Sequence, residues 1–233
     1  MSTLRDDFDR LALLSHARWD VNSHYHGFLL RHLPSRCAHA LDIGCGTGEF
    51  ARLLAERSDR VLALDLSPEM VRVAKERSRG WTNIDFQMGD VLDCGFPTAH
   101  FDCISSIATL HHLPVSIMLL KMRDALKPGG VLLVLDLFAS GGWADRLNNI
   151  AGFPWHVALM LIRNHRLREP RSVREAWAIH GRHDTYLRLS RIRELCGSII
   201  PGAQVRRHLL WRYSIVWLTE FRISNGKLVS YGA

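Results

Sequence analysis

One short segment constrains this chain more than any other: residues 40–48 read Ala-Leu-Asp-Ile-Gly-Cys-Gly-Thr-Gly. An apolar strand here runs directly into a turn with glycines at positions 44, 46 and 48. Because glycine lacks a Cβ, such a turn reaches backbone conformations closed to other residues and exposes N–H groups at the next helix, expected over residues 49–57. The segment predicts a strand–turn–helix unit of a parallel sheet with a nucleotide-type pocket.

The spacing of these glycines limits the classes of ligand that the turn can bind. It is Gly-x-Gly-x-Gly, whereas the phosphate-binding fingerprint of dinucleotide sites is Gly-x-Gly-x-x-Gly. Asp42, ahead of the first glycine, would repel a pyrophosphate but could receive the ammonium of an amino-acid moiety. A nicotinamide-dependent oxidoreductase is therefore disfavoured, although the pattern alone does not name the ligand.

Two later segments place acidic residues at the ends of further strands. A strand over residues 60–64 ends in Asp65, whose carboxylate can accept hydrogen bonds from both hydroxyls of a ribose. A strand over residues 83–88 leads to Asp90, which could accept from an adenine amino group, and to Val91, which could cover the ring. Strands are also expected over residues 101–107 and 131–138, the second after a turn at residues 127–130.

Five of these segments, in this order and at this spacing, resemble the class I S-adenosylmethionine-dependent methyltransferases, particularly the small-molecule branch. They are residues 41–48, 64–70, 89–91, 101–102 and 126–130, and the resemblance covers roughly residues 38–138. It implies an α/β fold: a Rossmann-like, seven-stranded, mainly parallel sheet with helices on both faces. S-adenosylmethionine would lie over the carboxyl ends of strands one, two and four.

The resemblance also implies roles for individual residues. Gly44, Gly46 and Gly48 would lie under the methionine part, and Ile107 would border the sulfonium. Asp65 would hold the ribose, while Asp90 and Val91 would hold the adenine. Asp42, Cys45 and Leu66 are further cofactor positions of the same two segments.

The rest of the chain is expected to build a helical and aromatic cap. We assign residues 1–34 to an N-terminal helical lid, 35–138 to the cofactor-binding core, 139–190 to a substrate cap insertion, and 191–233 to a C-terminal helix and closing β-hairpin. In similar methyltransferases such a lid covers the cofactor, so Tyr25 is a candidate contact for the methionine carboxylate or the acceptor. A tyrosine on an apolar helical face can equally be a packed residue.

Charge is unevenly distributed. Residues 139–233 hold 15 Lys and Arg against 6 Asp and Glu, within a total net charge of +7. Arginines at 163, 166, 168, 171 and 174 follow an apolar segment, which fits an amphipathic lid, peripheral contact with acidic lipids, a clamp on an anionic substrate, or a solvated face. Nucleic acid is not expected as a partner, because we find no aromatic stacking platform.

The location is predicted to be cytoplasmic. The longest apolar stretch of the C-terminal half, residues 157–162, is far shorter than the roughly 20 residues that cross a bilayer. The N-terminus begins with acidic residues rather than a basic leader. The 5 cysteines form no Cys-x-x-Cys pair, and neither a disulfide framework nor a metal site is expected.

Methyl transfer from a sulfonium needs mainly positioning, and a base only where the acceptor must lose a proton. His111 follows the fourth strand and is the catalytic candidate; His180, His183 and His208 are lesser ones. The expected activity is methylation of an oxygen, nitrogen or carbon atom of a small, aromatic or apolar metabolite, a quinone or lipid-like acceptor being the nearest variant. The alternative is a protein that binds S-adenosylmethionine without transferring its methyl group.

Overall fold

The structure is a computed structural model. It describes residues 4–14, 20–139, 154, 157–159, 161–162, 170–181, 184–219, 222–224 and 227–229. A seven-stranded sheet dominates it, as predicted. The strands are β1 (Cys37–Ile43), β2 (Ser58–Asp65), β3 (Ile84–Met88), β4 (Phe101–Ile107), β5 (Leu126–Leu137), β6 (Gln204–Arg207) and β7 (Arg212–Leu218). A short hairpin of β8 (Arg222–Ser224) and β9 (Lys227–Val229) forms a second sheet.

The order of the strands sets the place of the site. Across the sheet it is β3-β2-β1-β4-β5-β7-β6, with β1 to β5 parallel and β7 antiparallel to both neighbours. The chain moves outward from β1 to β3 and then returns to the other side of β1 with β4. Loops after β1 and β4 therefore leave in opposite directions and open a crevice at the carboxyl edge, where open α/β sheets bind ligands.

Helices cover the sheet and its carboxyl edge. They are α1 (Leu4–Leu14), α2 (Ser23–Leu30), α3 (Glu49–Ala55), α4 (Pro68–Arg77), α5 (Val115–Ala125), α6 (Arg171–His180) and α7 (Leu189–Ile199). The Ser67 hydroxyl accepts a hydrogen bond from the Met70 N–H and caps α4, with Pro68 in the first turn. None of the helices in the described part of the chain has the length and apolarity needed to cross a membrane.

Two apolar clusters, one on each face of the sheet, form the core. Neighbouring strand residues alternate between them: Leu41 and Leu132 belong to one cluster, Ala40 and Leu133 to the other. The central strands are thus buried on both faces, whereas the edge strands β3 and β6 are largely exposed.

Several boundaries differ from the expectation. Residues 127–130, expected as a turn, belong to β5, since Leu126 already pairs with Phe101 of β4 and Thr219 exchanges backbone hydrogen bonds with Gly129 and Gly130. The helix expected over residues 49–57 ends at Ala55. The closing hairpin is observed as β6 and β7, and β4 has the predicted bounds.

The N-terminal helix and the insertion meet over the carboxyl edge. Helix α1 packs against α4 and α6, and the Phe8 ring lies 5.5 Å from the His112 ring and 4.8 Å from the His180 ring. Half of the proposed insertion at 139–190 lies outside the described residues, including Trp143, Phe153, Trp155, His183 and the arginines at 163, 166 and 168. The four-part division of the chain stays a prediction.

Candidate functional site

A cavity of about 650 Å³ opens at the carboxyl edge of the sheet. Its volume lies within the range of about 300 to 1,000 Å³ that is typical of small-molecule sites. The turns after β1, β2, β3 and β4 form its floor, and α1 and α6 supply apolar walls that include Phe8, Leu11 and Trp177. The cavity is thus at the crevice that the strand order predicts.

The three glycines of the β1 turn all have positive φ, 70° at Gly44, 52° at Gly46 and 78° at Gly48, but they face different surroundings. A Cβ on Gly44 would lie 2.0 Å from Oγ1 of Thr109, and one on Gly48 would lie 2.8 Å from the Phe86 ring. A Cβ on Gly46 would meet nothing within 4 Å. Gly44 and Gly46 line the cavity, so a ligand can approach the backbone there, whereas Gly48 permits close packing behind the turn.

The N–H groups of this turn bind the protein itself. Those of Gly44 and Cys45 donate to the Leu64 carbonyl at 2.8 and 2.9 Å, and that of Gly46 donates to Oδ2 of Asp65 at 2.8 Å. The Gly48 N–H donates to the Cys45 carbonyl at 2.9 Å, so the expectation that the three glycines present free donors is wrong. The turn offers close approach instead, and the Asp65 hydrogen bond ties the ends of β1 and β2 together.

Asp65 lies at the edge of the cavity beside Leu66 and is 8% exposed. Its Oδ1 accepts from the Ser67 N–H at 2.9 Å. Burial raises the pKa of this carboxyl, and the hydrogen bonds from Ser67 and Gly46 oppose that shift. An acceptor-only carboxylate held rigidly at this edge suits the hydroxyls of a ribose.

Asp90, Val91 and Ile107 also line the cavity, with Asp90 and Val91 after β3 and Ile107 at the end of β4, on the other side of β1. Asp90 is exposed, and its Oδ1 accepts from the Leu92 N–H at 2.9 Å. Val91 is buried and belongs to the core cluster that includes Leu64. A carboxylate next to an apolar side chain is an arrangement that fits a purine ring and its amino group.

Asp42, Tyr25, Cys45 and Gly48 do not line the cavity. The Asp42 carboxyl accepts from the Ser105 hydroxyl at 2.6 Å behind the turn, and burial raises its pKa to about 7. The Tyr25 hydroxyl donates to the Leu209 carbonyl at 2.7 Å. Asp20 and Asn22, which the sequence analysis did not single out, are the polar lid residues on the cavity wall.

His111 is held by a buried carboxylate. Its Nδ1 lies 2.6 Å from Oδ1 of Asp136, and its backbone N–H donates to Oδ2 of the same residue at 2.7 Å. Asp136 is fully buried near the end of β5, and the His111 side chain is 6% exposed and lines the cavity. A carboxylate only accepts, so Nδ1 carries the proton and the Nε2 lone pair is left to act as a base.

A second histidine–carboxylate group adjoins the first. Asp184 lies 3.3 Å from Nδ1 of His112 and 3.7 Å from Nε2 of His180, and it accepts from the Tyr186 hydroxyl at 2.6 Å. Burial and the neighbouring His111 lower the pKa of His112 to about 4. His112 is therefore neutral at physiological pH.

His111, His112 and Asp184 each offer a ligand atom within 4.8 Å of the others, a grouping that the sequence did not indicate. Each already has a protein partner: His111 binds Asp136, and His112 and Asp184 face each other. Nδ1 of the neighbouring His180 is buried without a hydrogen-bond partner among the described residues, and the expectation of no metal stays a prediction.

Five residues of the site were missed: Asp20, Asn22, Asp136, Asp184 and Arg212. Only Asp136 had a usable signal, because it is an acidic residue in the otherwise apolar run of residues 131–138, near the end of a strand. The others lie in loops or at a strand start and reach the cavity through the fold.

Comparison with known proteins agrees with the geometry. A methyltransferase-domain family model matches residues 40–130. An uncharacterised methyltransferase of Mycobacterium tuberculosis is 28% identical over 206 residues, covering 85% of this chain and 96% of that protein. The demethylmenaquinone methyltransferase of Staphylococcus carnosus is 34% identical over 101 residues, 42% of each chain.

A solved S-adenosylmethionine-dependent methyltransferase from Aquifex aeolicus shares the fold, with a TM-score of 0.59, 17% identity, and coverage of 91% of this chain and 98% of that one. The close backbone approach at Gly46, the carboxylates of Asp65 and Asp90, and the apolar cover at Val91 fit an adenosyl ligand in the cavity. Together these findings show a methyltransferase domain over residues 40–130 in a chain that has the fold of S-adenosylmethionine-dependent methyltransferases, and they support S-adenosylmethionine as its cofactor.

Proposed function

We propose that the protein methylates an oxygen, nitrogen or carbon atom of a small aromatic or apolar metabolite and that His111 is the catalytic base. The observation that carries the proposal is the pair of His111 and buried Asp136 beside the cavity, because it leaves the imidazole with one free basic nitrogen. In this reading the adenosyl group lies over Gly44, Gly46, Asp65 and Asp90, and its sulfonium lies near Ile107.

The residues have distinct tasks in this reaction. S-adenosylmethionine supplies a methyl group on a positively charged sulfur. The neutral thioether that remains after transfer is a good leaving group. Holding the acceptor in line with that group accounts for roughly 7 to 11 kcal/mol of the barrier in well-oriented reactions. Nε2 of His111 takes the acceptor's proton, and Asp136 stabilises the imidazolium that results; such a base adds about 10²- to 10⁴-fold.

The walls of the cavity support an apolar acceptor. Phe8, Leu11, Leu14, Leu137 and Trp177 line it, and the exposed Trp177 ring is available for contact with a planar molecule. A quinone or lipid-like acceptor is the nearest variant. The Staphylococcus relative is named for a quinone substrate, but only 42% of this chain takes part in that similarity.

Two further expectations remain predictions. Contact with acidic lipids through the arginines at 163–174 is supported only by the exposure of Arg171 and Arg174, and Arg171 already pairs with Glu175 at 2.6 Å. A cytoplasmic location fits the five cysteines, all of which are free thiols.

The test is transfer of labelled methyl from S-adenosylmethionine. The purified protein is incubated with matched panels of phenols, quinols, amines and fatty acids, and the label is followed into each. We expect one chemical class to be labelled and S-adenosylhomocysteine to inhibit. A protein that binds S-adenosylhomocysteine tightly yet labels no member of a broad metabolite screen would instead be one that binds the cofactor without transferring its methyl group.

A further inference from the structure

Arg212 is the basic residue that the methyl-transfer scheme leaves without a task. It is the first residue of β7, where it pairs with Leu137 at the end of β5. Because β7 runs antiparallel to β5, its start lies at the same sheet edge as the carboxyl ends of the parallel strands. Arg212 is half-buried there and lines the cavity.

The partners of Arg212 are neutral. Its Nε donates to the Asn22 side-chain oxygen at 2.8 Å and its Nη1 to the Leu210 carbonyl at 3.3 Å. Among the described residues no carboxylate comes within 4.0 Å of this guanidinium, and Nη2 has no acceptor. Other arginines in the described part of the chain pair with carboxylates on the surface, such as Arg36 with Asp59 and Arg191 with Glu194.

A positive charge in the wall of this cavity is stabilised by a nearby negative charge. Burial lowers the pKa of Arg212, while Asp20 and Asp136 act in the opposite direction from beyond ion-pair distance. Removing a charge from water costs free energy unless it is paired. A guanidinium presents its N–H groups as a planar fork that matches a carboxylate, so a carboxylate entering the cavity would complete it.

We propose that Arg212 binds a carboxylate of the methyl acceptor, so that the substrate is an organic acid with its methylated atom toward His111. The inference rests on the proposed function, since it names the class of acceptor. Tyr186 interacts with both groups. Its ring lies 5.1 Å from the His111 ring, and the positive charge of Arg212 opposes the rise that burial causes in the pKa of its hydroxyl.

The position of Arg212 in the sheet favours the acceptor over the cofactor as the source of the carboxylate. The proposed cofactor positions lie at β1, β2, β3 and β4, whereas β7 lies beyond β5. Neighbouring strands are about 4.8 Å apart, so β7 is roughly 14 Å from the glycine turn of β1 along the sheet. The proposed base at His111 is nearer: it binds Asp136, which pairs with Tyr213, the residue after Arg212.

The experiment measures binding to the full chain saturated with S-adenosylhomocysteine. The probes are two matched pairs, 4-hydroxybenzoate with 4-hydroxybenzamide and octanoate with octanamide, followed by ligand-observed NMR titration. In the wild type we expect the carboxylate of at least one pair to bind at least tenfold more tightly than its amide. In Arg212→Gln that preference falls to near one, and Arg212→Lys restores part of it.

Arg206→Gln is the matched control, because Arg206 is an exposed arginine on the adjacent strand β6, bound to Gln204. It should leave the preference unchanged. A wild-type preference below twofold in both pairs would overturn the inference, and this arm does not depend on the folding of a variant. So would a preference that survives in Arg212→Gln.

Two further measurements separate the possible failures. If Arg212→Gln weakens S-adenosylhomocysteine tenfold but leaves 5′-methylthioadenosine unchanged, the carboxylate is that of the cofactor and the acceptor assignment is wrong. If the wild type binds no S-adenosylhomocysteine, the proposed function itself fails. Normal cofactor binding without a carboxylate preference defeats only the inference on Arg212.

Discussion

The two ends of the cavity are built in different ways. At the cofactor end the contacts stay within the neighbouring turns that follow β1, β2 and β3: Asp65 binds the N–H groups of Ser67 and Gly46, and Asp90 binds that of Leu92. At the acceptor end the partners come from distant parts of the chain, with Arg212 bound to Asn22 across 190 positions and His111 bound to Asp136 across 25. A local turn can be recognised as a motif, whereas a network assembled by the fold cannot.

This difference has a functional meaning. The cofactor end consists of backbone turns and short side chains at strand ends, which hold one ligand in one way. The acceptor end consists of titratable side chains from loops, α6, β5 and β7. We therefore expect substitutions at the two ends to separate cofactor binding from turnover, and the following predictions test that separation.

The largest effect is expected at His111. His111→Ala should lower kcat by about 10²- to 10⁴-fold, the usual contribution of a positioned base. The affinity for S-adenosylhomocysteine should not change, because His111 lies at the acceptor end. Steady-state kinetics on the acceptor identified in the labelling screen, with calorimetry for the product, measures both.

His100→Ala provides the control, since His100 precedes β4 at its other end and stacks on His39 at 4.5 Å. A His111→Ala protein with wild-type turnover would show that the imidazole is structural. Asp136→Asn should resemble His111→Ala in direction, because the amide no longer fixes the imidazole with a free Nε2.

The second prediction concerns the cofactor end. Asp65→Asn should weaken S-adenosylhomocysteine by about 1.5 to 3 kcal/mol, the range for hydrogen bonds to a charged group. Asp59→Asn is the matched control, since Asp59 lies at the opposite end of the same strand and pairs with Arg36 at 2.9 Å. Equal affinities in the two variants, measured by calorimetry, would exclude the ribose role of Asp65.

The third prediction compares two glycines that both have positive φ. Gly46 and Gly202 have φ values of 52° and 84°, and a Cβ on either would meet nothing within 4 Å. Replacement by alanine should lower the melting temperatures of both variants alike, because the backbone strain is shared. Only Gly46→Ala should lose cofactor affinity, by about 1 to 3 kcal/mol, since its methyl group would occupy ligand space.

The fourth prediction is a pH dependence of stability. The folded-state pKa of Asp42 is raised from 3.8 to about 7 by burial, so the folded protein holds a proton that the unfolded chain has lost. The free energy of unfolding of the ligand-free protein should therefore fall as pH rises from about 4 to 7. Asp42→Asn should show a shallower decline in urea denaturation over this range, and an unchanged slope would contradict the assignment.

The smallest effect is expected from metal removal. His111, His112 and Asp184 already have protein partners, so a chelator should leave turnover and cofactor affinity unchanged. Activity that disappears with the chelator and returns with Zn²⁺ or Mg²⁺ would show that these three side chains hold a cation.

The sequence predicted the central strands well because they contain buried apolar runs, as in Val61 to Leu64 or Val131 to Leu135. It placed Gly44, Gly46, Asp65, Asp90, Val91 and Ile107 at one edge, and the structure brings all of them to the cavity wall. These residues share a simple property: they directly follow or end parallel strands, and parallel strands end at the same edge.

The same reasoning did not succeed for side chains whose direction depends on packing. Asp42 is the next-to-last residue of β1, and its side chain accepts a hydrogen bond from Ser105 behind the turn, whereas Asp65 ends β2 at the cavity. Tyr25 binds the Leu209 carbonyl of a segment far along the chain, so its contact was not visible in the lid sequence. Arg212 and Asp184 reach the cavity only because β7 and the segment after α6 return to the carboxyl edge.

The most direct test of the account is a crystal structure of the full chain with S-adenosylhomocysteine. The account predicts the adenine beside Asp90 and Val91, the ribose on Asp65, and the sulfur next to Ile107 with open space between it and Nε2 of His111. A ligand whose sulfur faces away from His111, or whose adenosyl group lies outside the crevice formed by β1 and β4, would contradict it.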